Sequence, residues 1–218
     1  LGRLLDLAGA DTDVLVVSDH GAMAMRGAFA VNQWLVERGW LALRRPPAPG
    51  ARLEDCDVDW SRTRAWAWGG YYARVFLNVA GREPEGTVPA AGSEAALDEL
   101  AAELERVTDD RGRPMANRVL RPGRLYPECR GDVPDLMVYF DDLAWRAAGT
   151  LGWGGVHLAD NDTGPDDAVH AHDACFVLRG DGVGPGRRDG LTIYDVAPTI
   201  LERFGEPVPA EMEGVPCR

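Results

Sequence analysis

Three short runs of consecutive apolar residues punctuate the chain: Val14-Leu15-Val16-Val17, Leu136-Met137-Val138-Tyr139-Phe140 and Cys175-Phe176-Val177-Leu178. A continuous apolar run of this length, bounded by polar or glycine-rich stretches, reads as a strand covered on both faces. Between them lie longer segments with apolar residues three and four apart, the helical period. Leu4, Leu5 and Leu7 mark the end of an amphipathic helix over 1–7, and Phe29, Val31, Trp34, Leu35 and Trp40 mark a helix within 29–43 that Gly39 can cap. Leu97, Leu100, Leu104 and Val107 predict a helix over 95–107 with Ser93 as N-cap. A final helix over 192–204 is closed by Gly205, and Pro207 and Pro209 prevent its continuation. Residues 64–68 and 74–79 read as two strands around Gly69-Gly70.

Helices alternating with buried strands predict an α/β fold, with a largely parallel sheet flanked by helices. Residues 44–130 break that rhythm with alternating strands, a lone helix and more Pro and Gly. They read as a small α+β cap insertion, leaving 1–43 and 131–218 as the core.

Composition narrows the function classes. Hydrophobic residues make up 45% of the 218, enough for a packed core, and no apolar run is long enough to cross a membrane as a helix. The formal charge of −12 argues against a non-specific grip on duplex nucleic acid. All 23 basic residues are Arg, which excludes a lysine nucleophile, a Schiff base or a P-loop lysine. Cys56, Cys129, Cys175 and Cys217 have no metal-knuckle or redox spacing. Four free thiols favour a reducing compartment such as the cytoplasm. The chain opens on Leu1 inside an apparent helix, so its start is expected to lie further upstream.

Polar residues cluster where the first apolar run ends, at Ser18-Asp19-His20-Gly21. A carboxylate oxygen and an imidazole nitrogen are ligands that a zinc-like ion takes, and adjacent residues on a turn can aim at one ion. On the dipeptide alone, a strand-end Asp capping the turn is the simpler reading. His170 and His172 follow an acidic loop of Asp160, Asp162, Asp166 and Asp167 and form a second pair of potential ligands, or a solvated loop. His157 has no such context and reads as structural. There is no Gly-x-Ser-x-Gly elbow. The glycines of Gly180-Asp181-Gly182-Val183-Gly184 read as a turn, and Cys175 as a core residue.

Taken together, several segments resemble the type I phosphodiesterase/nucleotide pyrophosphatase branch of the alkaline phosphatase superfamily. Val14 to Gly21 resembles its Asp-His metal motif, and Asn32, Trp34 and Leu35 with Gly39 and Leu41 resemble its following helix. Arg74 to Asn78 with Gly81 to Gly86 resembles a segment of its cap. His170, six residues before Phe176, resembles its last metal histidine, and Asp195 to Leu201 with Gly205, Pro207, Pro209 and Gly214 resembles its C-terminal helix and tail. The resemblance implies the C-terminal part of an alkaline-phosphatase-like core and a hydrolase of phosphodiesters or nucleotide pyrophosphates. It implies two divalent ions, zinc or manganese, and a covalent Thr or Ser nucleophile. Asp19 and His20 match the ligands of the nucleophile-side metal and His170 a ligand of the other, while His172 falls two positions past the matching histidine, where it could support a ligand rather than be one.

The family's nucleophile and its remaining ligands lie upstream of the Asp-His motif. Thr12 is a strand length from Asp19, and Ser18 occupies a position that is not the nucleophile in this motif. The expected partners are therefore a small phosphate-ester substrate and either a missing N-terminal half or a second copy of the chain. Two alternatives stay open: a non-catalytic homologue serving as a binding or structural module, and another reaction of the superfamily, such as that of a phosphoglycerate mutase or a sulfatase.

Overall fold

The computed structural model describes residues 1–164 and 167–217. In chain order its elements are α1 (Gly2–Ala8), β1 (Val14–Val17), β2 (Gly21–Ala24), β3 (Gly27–Ala30), α2 (Val31–Glu37), β4 (Ala65–Trp68), β5 (Ala73–Leu77), α3 (Ser93–Glu105), β6 (Arg118–Leu120), α4 (Pro122–Leu125), β7 (Leu136–Tyr139), β8 (Trp145–Ala148), β9 (His157–Leu158), β10 (Ala168–Ala171), β11 (Phe176–Arg179) and α5 (Val196–Arg203). None of the helices is long and apolar enough to cross a membrane among the described residues. All four cysteines are free thiols.

The chain divides into two compact units, one of residues 1–21 and 172–218, the other of residues 22–171. The segment 44–130 lies wholly within the second. In that unit the strands form a four-stranded sheet in the order β4-β5-β7-β6, a three-stranded sheet in the order β8-β3-β9, and the pair β10-β2. The four-stranded sheet is antiparallel throughout. β3 runs parallel to β8 and antiparallel to β9.

This corrects the expected largely parallel sheet flanked by helices: the sheets are small and mostly antiparallel, and the helices are few and short. The apolar runs misled because burial on both faces does not require parallel neighbours. Leu136, Met137 and Val138 are buried in β7 between antiparallel strands, with α3 lying against β6 and β7. Val14–Val17 pairs with the other apolar run, β11, as an isolated antiparallel ribbon. The expected helix over 29–43 also shrinks. Its first residues belong to β3, whose Phe29 and Ala30 pair with Ala147 and Ala148, and the helix itself is α2.

α2 touches β4 of one sheet and β8 of the other, and its buried Val31, Trp34 and Leu35 join the two layers into one core. Gly69, in the β4–β5 turn, permits the sheets to meet: a Cβ there would stand 2.4 Å from the Ala147 carbonyl oxygen. Among the described residues every buried apolar side chain except Pro198 of α5 lies between Ala28 and Val169, hence in the second unit.

The first unit is built differently. α1 buries no residue, and Leu4 and Leu7 are exposed. The expected C-terminal helix opens on a capping box: the Thr192 N–H and hydroxyl both donate to Asp195 Oδ2, at 2.7 and 3.1 Å. A 3-10 turn over Ile193–Asp195 then leads into α5. The other Asp195 oxygen accepts the Val215 N–H at 2.7 Å, which ties the tail to the helix start.

Candidate functional site

In the first unit the ribbon of β1 and β11 delivers the Asp-His pair. Val17 pairs with Phe176, and the ladder runs one step further, where the Ser18 N–H donates to the Cys175 carbonyl at 3.0 Å. The Cys175 N–H donates in turn to the Ser18 hydroxyl at 2.9 Å. Ser18 thus closes the end of the ribbon, and Asp19 and His20 stand just beyond it with side chains 81% and 45% exposed. The Nδ1 of His20 lies 2.9 Å from the Gly21 carbonyl oxygen. A carbonyl only accepts, so that nitrogen carries the hydrogen and Nε2 keeps the lone pair that a metal takes. Nε2 lies 3.7 Å from Asp19 Oδ1. A carboxylate oxygen and an imidazole nitrogen at that separation can ligate one divalent ion as two of its ligands.

Asp19 also lines an open groove of about 930 Å³ within the same unit, together with Ser18, His172, Asp173, Arg187 and Arg188. His172, two positions past the histidine that matches the family, therefore lines the same groove as Asp19. The two arginines were not singled out by sequence reasoning, although a consecutive pair of cations in a strongly acidic chain was a usable signal.

His170 belongs to the second unit, in β10, where its ring meets that of Tyr71 edge-on at 3.6 Å between centroids. The Arg146 guanidinium lies over the same Tyr71 ring at 4.4 Å. Among the described residues no group of three or more His, Cys, Asp or Glu side chains is placed to hold a metal ion. Asp166, part of the acidic loop, lies outside the described residues. Asp162 of that loop accepts the Thr150 hydroxyl at 2.9 Å. His157 packs edge-on against Phe29 and Trp145, and its Nε2 lies 2.8 Å from the Thr108 carbonyl oxygen, a structural setting. The Thr12 hydroxyl donates to the Ala8 carbonyl at 2.6 Å, fastening the turn after α1.

The sequence model of the family described as type I phosphodiesterase / nucleotide pyrophosphatase matches residues 1–168. The chain belongs to this family. Type I phosphodiesterases and nucleotide pyrophosphatases are hydrolases, generally metal-dependent, and the matched span carries the Asp19-His20 pair and ends just short of His170. No curated protein and no solved structure shows a significant match to the chain.

Within the matched phosphodiesterase span, the other residues that carried the resemblance do structural work. Asn32 is fully buried, and its amide donates to the carbonyls of Ala67 and Gly149 at 2.8 and 2.7 Å. Asn78, also buried, donates to the Thr63 and Glu85 carbonyls at 2.9 and 2.8 Å. Arg82 grips Asp135 with two bonds of 2.8 and 2.7 Å, and Asp135 accepts the Leu77 N–H at 2.7 Å. These residues lock the second unit together.

Proposed function

We propose that this chain is part of a metal-dependent hydrolase of phosphodiesters or nucleotide pyrophosphates, with Asp19 and His20 as ligands of one divalent ion and His170 of a second. The observation that carries the reading is the pairing of Asp19 Oδ1 and His20 Nε2 at 3.7 Å, with Nδ1 held by the Gly21 carbonyl, in a chain of this family. The donor set suits zinc or manganese. A cation held there supplies positive charge to a phosphate oxygen. Asp19 fixes the carboxylate, and the hydrogen bond from Nδ1 fixes the ring plane and tautomer of His20.

The hydroxyls beside the pair are not the nucleophile in this reading. Ser18 accepts from the Cys175 N–H, and Thr12 is spent on the Ala8 carbonyl. The attacking Thr or Ser and the remaining ligands come from a further segment of polypeptide, its own N-terminal half or a second copy. The same partner covers the apolar side chains that the first unit leaves exposed, among them Leu4, Leu7 and Phe204.

The test is cation binding by the 218-residue chain, read by titration calorimetry with zinc and manganese. Binding is expected to weaken in Asp19→Asn and in His20→Ala. Binding that is absent, or equal in both variants, overturns the ligand assignment. Parallel assays on a phosphodiester, a phosphomonoester and a sulfate ester are expected to favour the diester once the missing segment is supplied. A second reading, a non-catalytic binding module, draws support from the lack of any three-donor group among the described residues. Diester hydrolysis abolished by Asp19→Asn rules it out.

A further inference from the structure

Consecutive residues of a β-strand point to opposite faces of the sheet. Had β1 continued through Asp19 and His20, their side chains would face apart and no single ion could take both. Instead Asp19 Oδ1 and His20 Nε2 lie 3.7 Å apart. The chain has therefore left the strand before this pair. β1 ends at Val17 and β2 opens at Gly21, so the exit is made by Ser18, Asp19 and His20 alone.

The end of the ladder shows how the exit is made. Partners in a hydrogen-bonded antiparallel pair exchange two bonds, each N–H donating to the other's carbonyl. Ser18 and Cys175 keep the first of these, from the Ser18 N–H to the Cys175 carbonyl at 3.0 Å. In the second, the Cys175 N–H donates to the Ser18 hydroxyl at 2.9 Å. The side-chain oxygen thus fills the acceptor role that the Ser18 carbonyl has in a continuing strand. The Ser18–Asp19 peptide is released to turn, and the last N–H of the ribbon still has an acceptor. A strand-forming residue without a hydroxyl at this position would leave that N–H to the main-chain carbonyl and hold the peptide in the ladder.

Resting on the reading of Asp19 and His20 as ligands of one ion, we propose that Ser18 is their positioning residue: its hydroxyl takes the place of its own carbonyl in the ladder, and the turn this permits brings the two ligands together. Ser18 acts through Asp19 and His20, by preorganising a pair that a strand would separate. The role needs an oxygen on Cβ and tolerates a β-branched side chain. Thr can therefore fill it, and Val, of the same shape without the oxygen, cannot.

The experiment compares Ser18→Val and Ser18→Thr with the parent 218-residue chain and with Asp19→Asn, by two readouts. The first is calorimetric titration with zinc. Ser18→Val is expected to lose about tenfold or more in affinity, the cost of disturbing a group that orients a metal ligand, and Ser18→Thr to bind like the parent. The second is proton–nitrogen NMR of the His20 ring in the EDTA-treated chain, which needs no metal. The parent and Ser18→Thr should show the hydrogen on Nδ1, where the Gly21 carbonyl holds it, and Ser18→Val should show a mixture of tautomers. The proposal is overturned if Ser18→Val keeps the parent's zinc affinity while Asp19→Asn loses it, if Thr does not restore what Val removes, or if the His20 spectrum of Ser18→Val is that of the parent. If the parent binds no zinc, or Asp19→Asn binds it equally well, the ligand reading fails instead, and the metal-free spectrum alone decides whether Ser18 sets the turn.

Discussion

Asn32 and Ala67 exchange a reciprocal pair of hydrogen bonds: the Asn32 amide donates to the Ala67 carbonyl at 2.8 Å, and its side-chain oxygen accepts the Ala67 N–H at 2.9 Å. The side chain thereby acts as one more rung on β4, extended from helix α2. Its second amide hydrogen reaches the Gly149 carbonyl at 2.7 Å, so one residue secures the helix, the four-stranded sheet and the turn after β8.

Removing it leaves buried backbone groups without partners, which costs more than the bonds themselves contribute. Asn32→Ala is expected to lower the unfolding free energy by about 3 kcal/mol. Asn32→Asp should be worse, because it deletes the donors and buries a charge. Denaturant unfolding followed by tryptophan fluorescence checks both, and equal stability of Asn32→Asp and the parent chain would show that the clamp is dispensable.

Asp195 makes the first unit acid-sensitive. The Val215 N–H, then the Thr192 N–H, hold its carboxyl below the usual carboxylate range, against a smaller opposing effect of burial. A pKa depressed in the folded state gives stability that is full above the unfolded value, about 4, and is lost as pH falls through the folded value. The unit containing α5 should therefore be insensitive to Asp195 between pH 5 and 8 (roughly) and loosen below that range. Asp195→Asn should flatten this acid limb and be less stable at neutral pH, since one amide oxygen cannot replace two carboxylate acceptors. Amide exchange at Val215 across a pH series measures it. An unchanged acid limb in the variant would assign the sensitivity to another group.

The exposed apolar side chains of the first unit predict association. Leu4, Leu7, Tyr194 and Phe204 are 67%, 83%, 63% and 80% exposed, and among the described residues of that unit Pro198 alone of the apolar side chains is buried. Surfaces of this kind bind hydrophobic dyes and one another. The 218-residue chain should show concentration-dependent sedimentation and bind anilinonaphthalene sulfonate. Leu4→Glu with Leu7→Glu and Phe204→Ser should reduce both signals. A monomer that binds no dye would show that these side chains need no cover.

Local pattern was read well where it was self-contained. The apolar run Val14–Val17 is β1, residues 65–68 and 73–77 pair around Gly69-Gly70, and the periodic leucines of 95–107 lie on α3. Ser93 is the first residue of α3 rather than its cap, its hydroxyl donating to the Ala90 carbonyl at 2.9 Å. Partner choice was not legible. Whether a buried run pairs parallel or antiparallel depends on residues far away in sequence, as Val14 with Arg179 shows. The Asp19-His20 pair was visible because its two residues are adjacent in the chain. The bond between Asp13 and Arg203 was not, because the two residues are separated by most of the sequence.

The pairing of β2 with β10 carries a consequence for how this protein tolerates change. These strands are the first and last of the second unit, and the Met25 N–H donates to the Asp167 carbonyl at 2.9 Å beside them. The chain therefore enters and leaves that unit through one doorway, with the whole buried core on the far side of it. Such a unit is a cassette: it can be lengthened, shortened or exchanged without moving its two ends apart. Changes of length inside residues 22–171 can therefore be absorbed without parting the two strands at which that segment begins and ends.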